Sequence, residues 1–291
     1  MALPQIPVED ELLNKWLAGR SLAALCRQFD QDGYLVFDSV LDRDEVAMIR
    51  DALDPFLDAN VRGRNSFEGV RSNRIYAMLN KSAKFSDLVT HPLPLSFAEA
   101  ELGRSCLLSA CIAIQLNPGE SVQPWHYDDA HLQIPRPRAA YGLSVFWAID
   151  ETNDENGATE VIPGSHRWGD NMLDGSLSDA DLEDNSTPDP ANDPAAHAEA
   201  IAVPLQPGSL MIAKGTLWHR GGANRSSKPR LIVTPQYCPG WSRQLENMLL
   251  AVSPENAGKL SKRARELLGY SIHPPFMGYV DGVHPQRVLP K

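Results

Sequence analysis

The sequence predicts a mainly β fold with flanking helices (α+β), built on an antiparallel sandwich or barrel. Three observations carry that reading. Before residue 105 the apolar residues recur at helical intervals, whereas from residue 107 short, partly β-branched runs alternate with turns. The 291 residues are enough for one sizeable core and require no second domain. The expected organisation is a single domain over 1–291. It has a helical N-terminal portion over about 9–105, a β core over about 107–238 with an acidic insertion at 174–200, and a wrapping segment over 239–291.

In order, Leu12, Leu13, Trp16, Leu17, Leu22, Leu25 and Phe29 form a helical pattern interrupted by Gly19, and Gly33 ends it. Tyr34-Leu35-Val36-Phe37 reads as a short strand. Asp42 and Glu45 stand as N-cap and N3 acid ahead of Val46, Ile49 and Leu53. The stretch 60–74 is polar, basic and glycine-containing: a loop that draws an anionic substrate, or a solvated arginine loop. Residues 75–79 suit a strand or a helical turn, Phe85, Leu88 and Val89 suit the core, and 95–102 has helical composition. Strands are expected within 107–116, 142–149, 159–162, 205–214 and 231–237, and the mouth of such a sandwich collects side chains from non-adjacent strands. Asp179, Asp181, Glu183, Asp184, Asp189, Pro190, Asp193 and Pro194 mark the insertion as surface chain, either a lid over that mouth or tolerated length. A basic helical stretch at 259–268 precedes the proline-rich 271–279, which wraps the domain or meets a second copy as a homodimer.

A formal charge of -10 argues against phosphate-backbone binding, so no nucleic-acid partner is expected. Cys26, Cys106, Cys111 and Cys238 form no CxxC pair and suggest a reducing compartment. No stretch approaches the roughly 20 apolar residues of a membrane span. The start lacks a basic region followed by an apolar one, so the expectation is a cytoplasmic protein without a membrane partner.

The chemistry gathers at Gln123-Pro124-Trp125-His126-Tyr127-Asp128. In extended chain the period of two sends His126 and Asp128 to one face. An imidazole and a carboxylate suit a mid-series divalent metal, and a second histidine completes the two-His-one-carboxylate set of non-haem iron(II). His219, in Leu217-Trp218-His219-Arg220-Gly221-Gly222, is the candidate. Beyond it, 221–229 can turn between neighbouring strands and return Arg230 toward the metal without touching it. There its planar fork can hold the far carboxylate of a dicarboxylic co-substrate. Either histidine alone is more often a hydrogen-bonded fold residue; the ordered combination with Asp128 and Arg230 favours a metal site.

With these residues, and with Gly33-Tyr34, Asn156-Gly157-Ala158-Thr159-Glu160 and Pro163-Gly164-Ser165-His166, the chain resembles the phytanoyl-CoA dioxygenase family of iron(II)/2-oxoglutarate-dependent oxygenases over roughly residues 22 to 238. The resemblance implies a double-stranded β-helix, a jelly-roll or cupin-like core flanked by helices. It implies His126, Asp128 and His219 as iron ligands and catalytic centre, with 2-oxoglutarate and molecular oxygen as co-substrates on the opposite coordination face. Gln123 and Thr159 are carried over as side chains near 2-oxoglutarate, beside Arg230. The implied reaction oxidises, by default hydroxylates, an unactivated carbon of a small or medium organic substrate and releases succinate and carbon dioxide. Desaturation, ring formation and peroxide formation would differ in substrate pose. Asp128 stands where related halogenating enzymes have a small residue, which disfavours halogenation.

On the substrate side the candidates are Tyr76, Met78 and Trp147, although an ordinary core uses the same residue types. Gln115 and Asn117 share a face if 113–117 is extended and can continue the rim. His166 follows a Pro-Gly-Ser turn and is expected to brace it, while His91, His131, His197, His273 and His284 form no cluster. Two other functions fit the letters. A cupin-like metalloenzyme without a keto acid would keep its metal activity in Arg230→Ala, and a non-catalytic small-molecule-binding barrel would bind metal without consuming oxygen or forming succinate.

Overall fold

The computed structural model describes residues 10–57, 62–171, 173–186, 193–194 and 196–290; residues 60 and 61 of the basic run, and 187–192 and 195 of the insertion, lie outside them. The N-terminal portion carries α1 (Asp10–Leu13), α2 (Leu22–Asp32), β1 (Tyr34–Phe37), α3 (Arg43–Leu57), β2 (Ser72–Ile75), α4 (Met78–Lys81), α5 (Phe85–Val89) and α6 (Pro92–Leu102). The core adds β3 (Leu107–Leu116), β4 (Leu143–Ala148), β5 (Thr159–Val161), α7 (Asp179–Glu183), β6 (Ile201–Val203), β7 (Leu210–Lys214), β8 (His219–Gly221) and β9 (Arg230–Cys238). The last segment holds α8 (Met248–Ala251), α9 (Pro254–Lys259) and α10 (Lys262–Leu268).

Local chemistry explains the boundaries. Ser21 accepts from the Ala24 amide to start α2, and Gly33 at φ 82° stops it in the left-handed region that glycine enters without strain. Asp42 and Glu45 form the reciprocal cap at the head of α3, each carboxylate accepting from the other's amide (2.8 and 2.9 Å). Where 75–79 could have been strand or turn, the chain divides: β2 ends at Ile75 and α4 begins at Met78.

The architecture is a jelly roll of two antiparallel sheets. The larger has the order β1-β7-β4-β9-β3-β2 and the smaller β6-β5-β8. The side-chain period of two divides the large sheet cleanly. Leu231, Val233 and Tyr237 of β9, Cys111 and Ala113 of β3, and Leu143, Val145 and Trp147 of β4 join the core packed with Phe29, Leu53, Phe85 and Phe97 from the helices. The opposite face, with Phe146, Ala148, Met211, Ala213 and Ile232, meets Val161 and Val203 of the small sheet. One end of this inter-sheet space is filled; the other opens into a cavity.

Candidate metal centre and its cavity

His126 and His219 face each other across an isolated antiparallel bridge, each amide donating to the other's carbonyl (3.0 and 2.9 Å). That mutual pairing sends both side chains to one side of the sheet. Trp125 and Trp218, next in sequence to the two histidines, turn the other way and pack with Ile162. The imidazole centroids lie 4.4 Å apart.

Each ring is held by its Nδ1, which donates to a carbonyl that can only accept: His126 to Pro124 (2.9 Å) and His219 to Leu217 (3.0 Å). With Nδ1 so engaged, Nε2 is the ring nitrogen each histidine has left to offer a metal. Burial, reinforced by the neighbouring His219 ring, keeps His126 below the ordinary histidine range and so neutral, although Asp128 opposes the shift. Asp128 is fixed in the same manner. Its Oδ2 accepts from the Ser144 hydroxyl of β4, while Oδ1 lies 3.7 Å from His219 Nε2. One ligand atom from each of the three residues falls within 4.8 Å of the others. Two neutral nitrogens and one anionic oxygen on a single face suit a divalent iron or manganese better than a thiol-seeking metal.

The cavity around this triad encloses about 780 Å³. Its floor is the inward face of two paired strands, Leu116, Ile114, Ile112 and Ala110 on β3 beside Arg230, Ile232, Thr234 and Gln236 on β9. Arg230, the first residue of β9, lines the cavity at the end opposite Gln236 and is 3% exposed. It donates to the Gly157 carbonyl, and its Nε has no partner among the described residues. Burial pulls its pKa down to about 10, against the opposing charge of Asp150. Among the described residues no carboxylate lies within ion-pair distance of this guanidinium. A buried, uncompensated cation costs several kcal/mol, on the order of a broken buried ion pair, unless an anion meets it. Thr159 on β5 lines the same region. Gln123 lines it too, its Oε1 accepting from Gly221 N (2.9 Å) and its Nε2 donating to Phe67 O (2.6 Å).

Tyr76 lines the cavity, but Met78 and Trp147 do not: both are buried in the helix-side core, at 1% and 0% exposure. For Trp147 the reason is strand parity, because β4 turns Ser144 and Phe146 inward and Trp147 outward. Met78 heads α4 one turn past the cavity wall. Gln115 and Asn117 are not on the rim; they bond each other, and Asn117 also ties to the Arg71 carbonyl and Asn73. His166 does brace its turn, through the Asp30 carbonyl (3.1 Å).

Arg74, in the basic run that reads from sequence as a loop, is a second buried cavity cation whose charge reaches His126. It lies on β2, where Ser72 and Arg74 alternate with Asn73, and such a polar strand reads as loop because its inner face meets a cavity instead of a core. The insertion contributes to the wall. Gly175 and Leu177 bond the backbone of Trp125 (both 2.9 Å), and Asn65 and Ser66 bond the carbonyls of Leu182, Asp181 and Asp184. Leu177 thereby reaches the cavity.

Comparison with known proteins agrees with this geometry. The family model described as Phytanoyl-CoA dioxygenase (PhyH) matches residues 29–232. Dioxygenase af480 of Aspergillus fumigatus is 28% identical over 263 residues, covering 86% of this chain and 76% of its own. Dioxygenase trt7 of Aspergillus terreus is 27% identical, covering 70% and 68%. Among solved structures, the non-heme alpha ketoglutarate dependent carbocyclase SnoK from nogalamycin biosynthesis shares the fold at TM-score 0.57 and 20% identity, covering 77% of this chain and 86% of its own. The epimerase SnoN, solved with Fe3+, alpha ketoglutarate and nogalamycin RO, does so at TM-score 0.56 and 22% identity, covering 75% and 85%.

Proposed function

Because the chain belongs to the phytanoyl-CoA dioxygenase family, and is an iron(II)- and 2-oxoglutarate-dependent dioxygenase, we propose specific roles for its cavity residues in hydroxylating an unactivated carbon of an organic substrate. His126, Asp128 and His219 hold the iron. Arg230 takes the distal carboxylate of 2-oxoglutarate, with Thr159 beside it and Gln123 bracing the Gly221 backbone. When bound, iron and 2-oxoglutarate activate molecular oxygen for attack on a carbon–hydrogen bond, with succinate and carbon dioxide released.

The residues of this chain supply placement. The bonded Nδ1 atoms keep both Nε2 lone pairs aimed inward, and Ser144 leaves one Asp128 oxygen available. Phe146, Ile114 and Ile232 exclude water around the triad and suit a largely apolar substrate of small or medium size. That dioxygenase relatives and a fold neighbour solved with nogalamycin RO act in comparable folds supports a natural-product-like substrate. No described helix is long and apolar enough to cross a membrane. The four buried, unpaired cysteines support a reducing, cytoplasmic setting. Exposed Leu249, Leu250, Phe276 and Tyr279 on the C-terminal segment support a homodimer.

The observation that carries the reading is a buried guanidinium with no carboxylate partner among the described residues, in the cavity that holds three converging ligand atoms. Anaerobic titration tests it. Asp128→Ala is expected to lose iron binding, and Arg230→Ala to keep iron while 2-oxoglutarate affinity falls about 100-fold, the scale of a charged hydrogen-bonded pair. Unchanged affinities in the two variants would overturn the assignments.

A further inference from the structure

The cavity floor runs along β3 and β9 from Arg230 to Gln236, six residues at about 3.4 Å each, or about 20 Å. Arg230 occupies one end; Ser144, whose hydroxyl holds Asp128, pairs with Gln236 at the other and places the triad there. That same end is lined, on its β3 side, by Leu245 and Glu246, from the segment that follows β9 and outside the residues matched by the family model.

A β-bulge delivers Glu246 there. The β3–β9 register slips between Leu108 and Ala110, leaving Ser109 unpaired in the ladder. Ser109 instead binds the returning chain: its carbonyl accepts from Glu246 N (2.8 Å) and its hydroxyl from Leu245 N (3.1 Å). Gln244 adds a bond from Nε2 to the Leu108 carbonyl (2.7 Å). Anchored at three successive residues, the chain turns the Glu246 carboxyl toward the end of β2. There Oε1 accepts from the amide of Ala77 (2.7 Å), a non-glycine residue held at φ 51°.

The other oxygen, Oε2, is buried and has no hydrogen-bond partner among the described residues. Burial raises the pKa of this carboxyl above its ordinary value, partly offset by neighbouring backbone amides and the charge of Lys81. Nearby donors are engaged elsewhere: Lys81 Nζ is held by the Tyr76 carbonyl (2.8 Å), and the Tyr76 phenol interacts with Arg74 and Arg64. A half-satisfied carboxyl group in a mostly apolar cavity is costly until a hydrogen-bond partner meets its second oxygen.

We propose that Glu246 is a specificity-determining residue that accepts a hydrogen bond, through Oε2, from a hydroxyl or amine of the substrate. This rests on the proposed function, since it takes the cavity as the substrate site. An apolar molecule pinned at Glu246, on the β3 side of this end, presents a defined carbon to the triad on its β4 side, so the contact sets position of attack as well as affinity.

The test uses the full chain, free of iron and 2-oxoglutarate, and four probes: 2-naphthol, 2-methoxynaphthalene, naphthalene and 1-naphthylmethylamine, with affinities read by ligand-observed NMR. Wild type is expected to bind the naphthol or the amine at least about tenfold more tightly than the methyl ether or the hydrocarbon, the scale of a hydrogen bond to a charged group. The tighter of the two identifies hydroxyl or ammonium as the preferred donor. Glu246→Gln keeps Oε1 for the Ala77 amide but replaces Oε2 with a donor, so the order of naphthol and methyl ether should invert; Glu246→Leu should bind the two equally. Inversion requires a direct contact, because a merely structural role would weaken all probes together. No preference in wild type, including no binding of any probe, or a preference unchanged in folded Glu246→Gln, would overturn the proposal. Anaerobic iron titration of the same samples separates this outcome from failure of the metal assignment, which the naphthalene probes do not touch.

Discussion

At the scale of single residues, Asp128 shows how little freedom the metal face has. With Oδ2 occupied by the Ser144 hydroxyl, only Oδ1 is left for a metal, so Ser144 positions a ligand that it does not replace. Ser144→Ala is expected to weaken iron binding about 10- to 100-fold and to alter the visible spectrum of the cobalt-substituted protein, with Ser144→Thr restoring both. His91 makes a separate prediction. Its Nδ1 accepts from Leu93 N to cap α6, and its ring packs against Trp16 and Trp147. Burial, helped by Lys15, lowers its pKa from 6.5 to about 4. Between those values the unfolded chain binds the proton and the folded one does not. Stability is therefore full above pH 6.5 and falls as pH drops toward 4. Calorimetry of His91→Asn, which keeps a capping acceptor that does not titrate, should show a shallower fall in Tm across that window. That His126, Asp128 and His219 converge, and that Arg230 lines the same cavity, was legible in the sequence because motif chemistry constrains residue type. Trp147 was not, since its side of β4 depends on register, and Glu246 left no local signal because only the Ser109 bulge brings it to the cavity.

At the scale of elements, the turn before β5 and the roof over the cavity are the parts most exposed to change. Gly157 sits at φ 88°, and a Cβ there would lie 2.5 Å from Leu116 Cδ2 and 2.6 Å from the Gly222 carbonyl. Its own carbonyl accepts from Arg230. Gly157→Ala should therefore destabilise the protein by about 1–3 kcal/mol and weaken 2-oxoglutarate binding, readable by denaturant unfolding and by titration. In the roof, Asn65 and Ser66 hold α7 and its flanks by three bonds to carbonyls, one of them from the Ser66 amide. Asn65→Ala with Ser66→Ala should speed amide exchange at Leu177 while leaving β3 and β9 protected. Capped helices were legible element by element; α3 begins where Asp42 and Glu45 indicate. β2 was not, because alternation of Ser72, Asn73 and Arg74 carries no hydrophobic period when the inward face lines a cavity.

At the scale of the whole molecule, the partition into a helical N-terminal portion and a β core was right about composition and incomplete about connection. β1 and β2, both from the first portion, are the two outer strands of the six-stranded sheet. β1 pairs with β7 through Phe37↔Leu210 and Tyr34↔Ala213, and β2 pairs with β3 through Ser72↔Leu116. Sequence patterning shows that a strand exists; it does not show which distant partner receives it. A fragment beginning after residue 80 should accordingly aggregate, since β7 and β3 would become bare edges, and light scattering of that fragment reads the outcome. During synthesis the order is reversed. Tyr34–Phe37 leaves the ribosome early, and its partner Leu210–Lys214 follows some 180 residues later, on the order of ten to forty seconds at ordinary translation rates. For that interval a four-residue apolar strand has no ladder to join, which makes the nascent chain a client for a holding chaperone in proportion to how slowly its message is read.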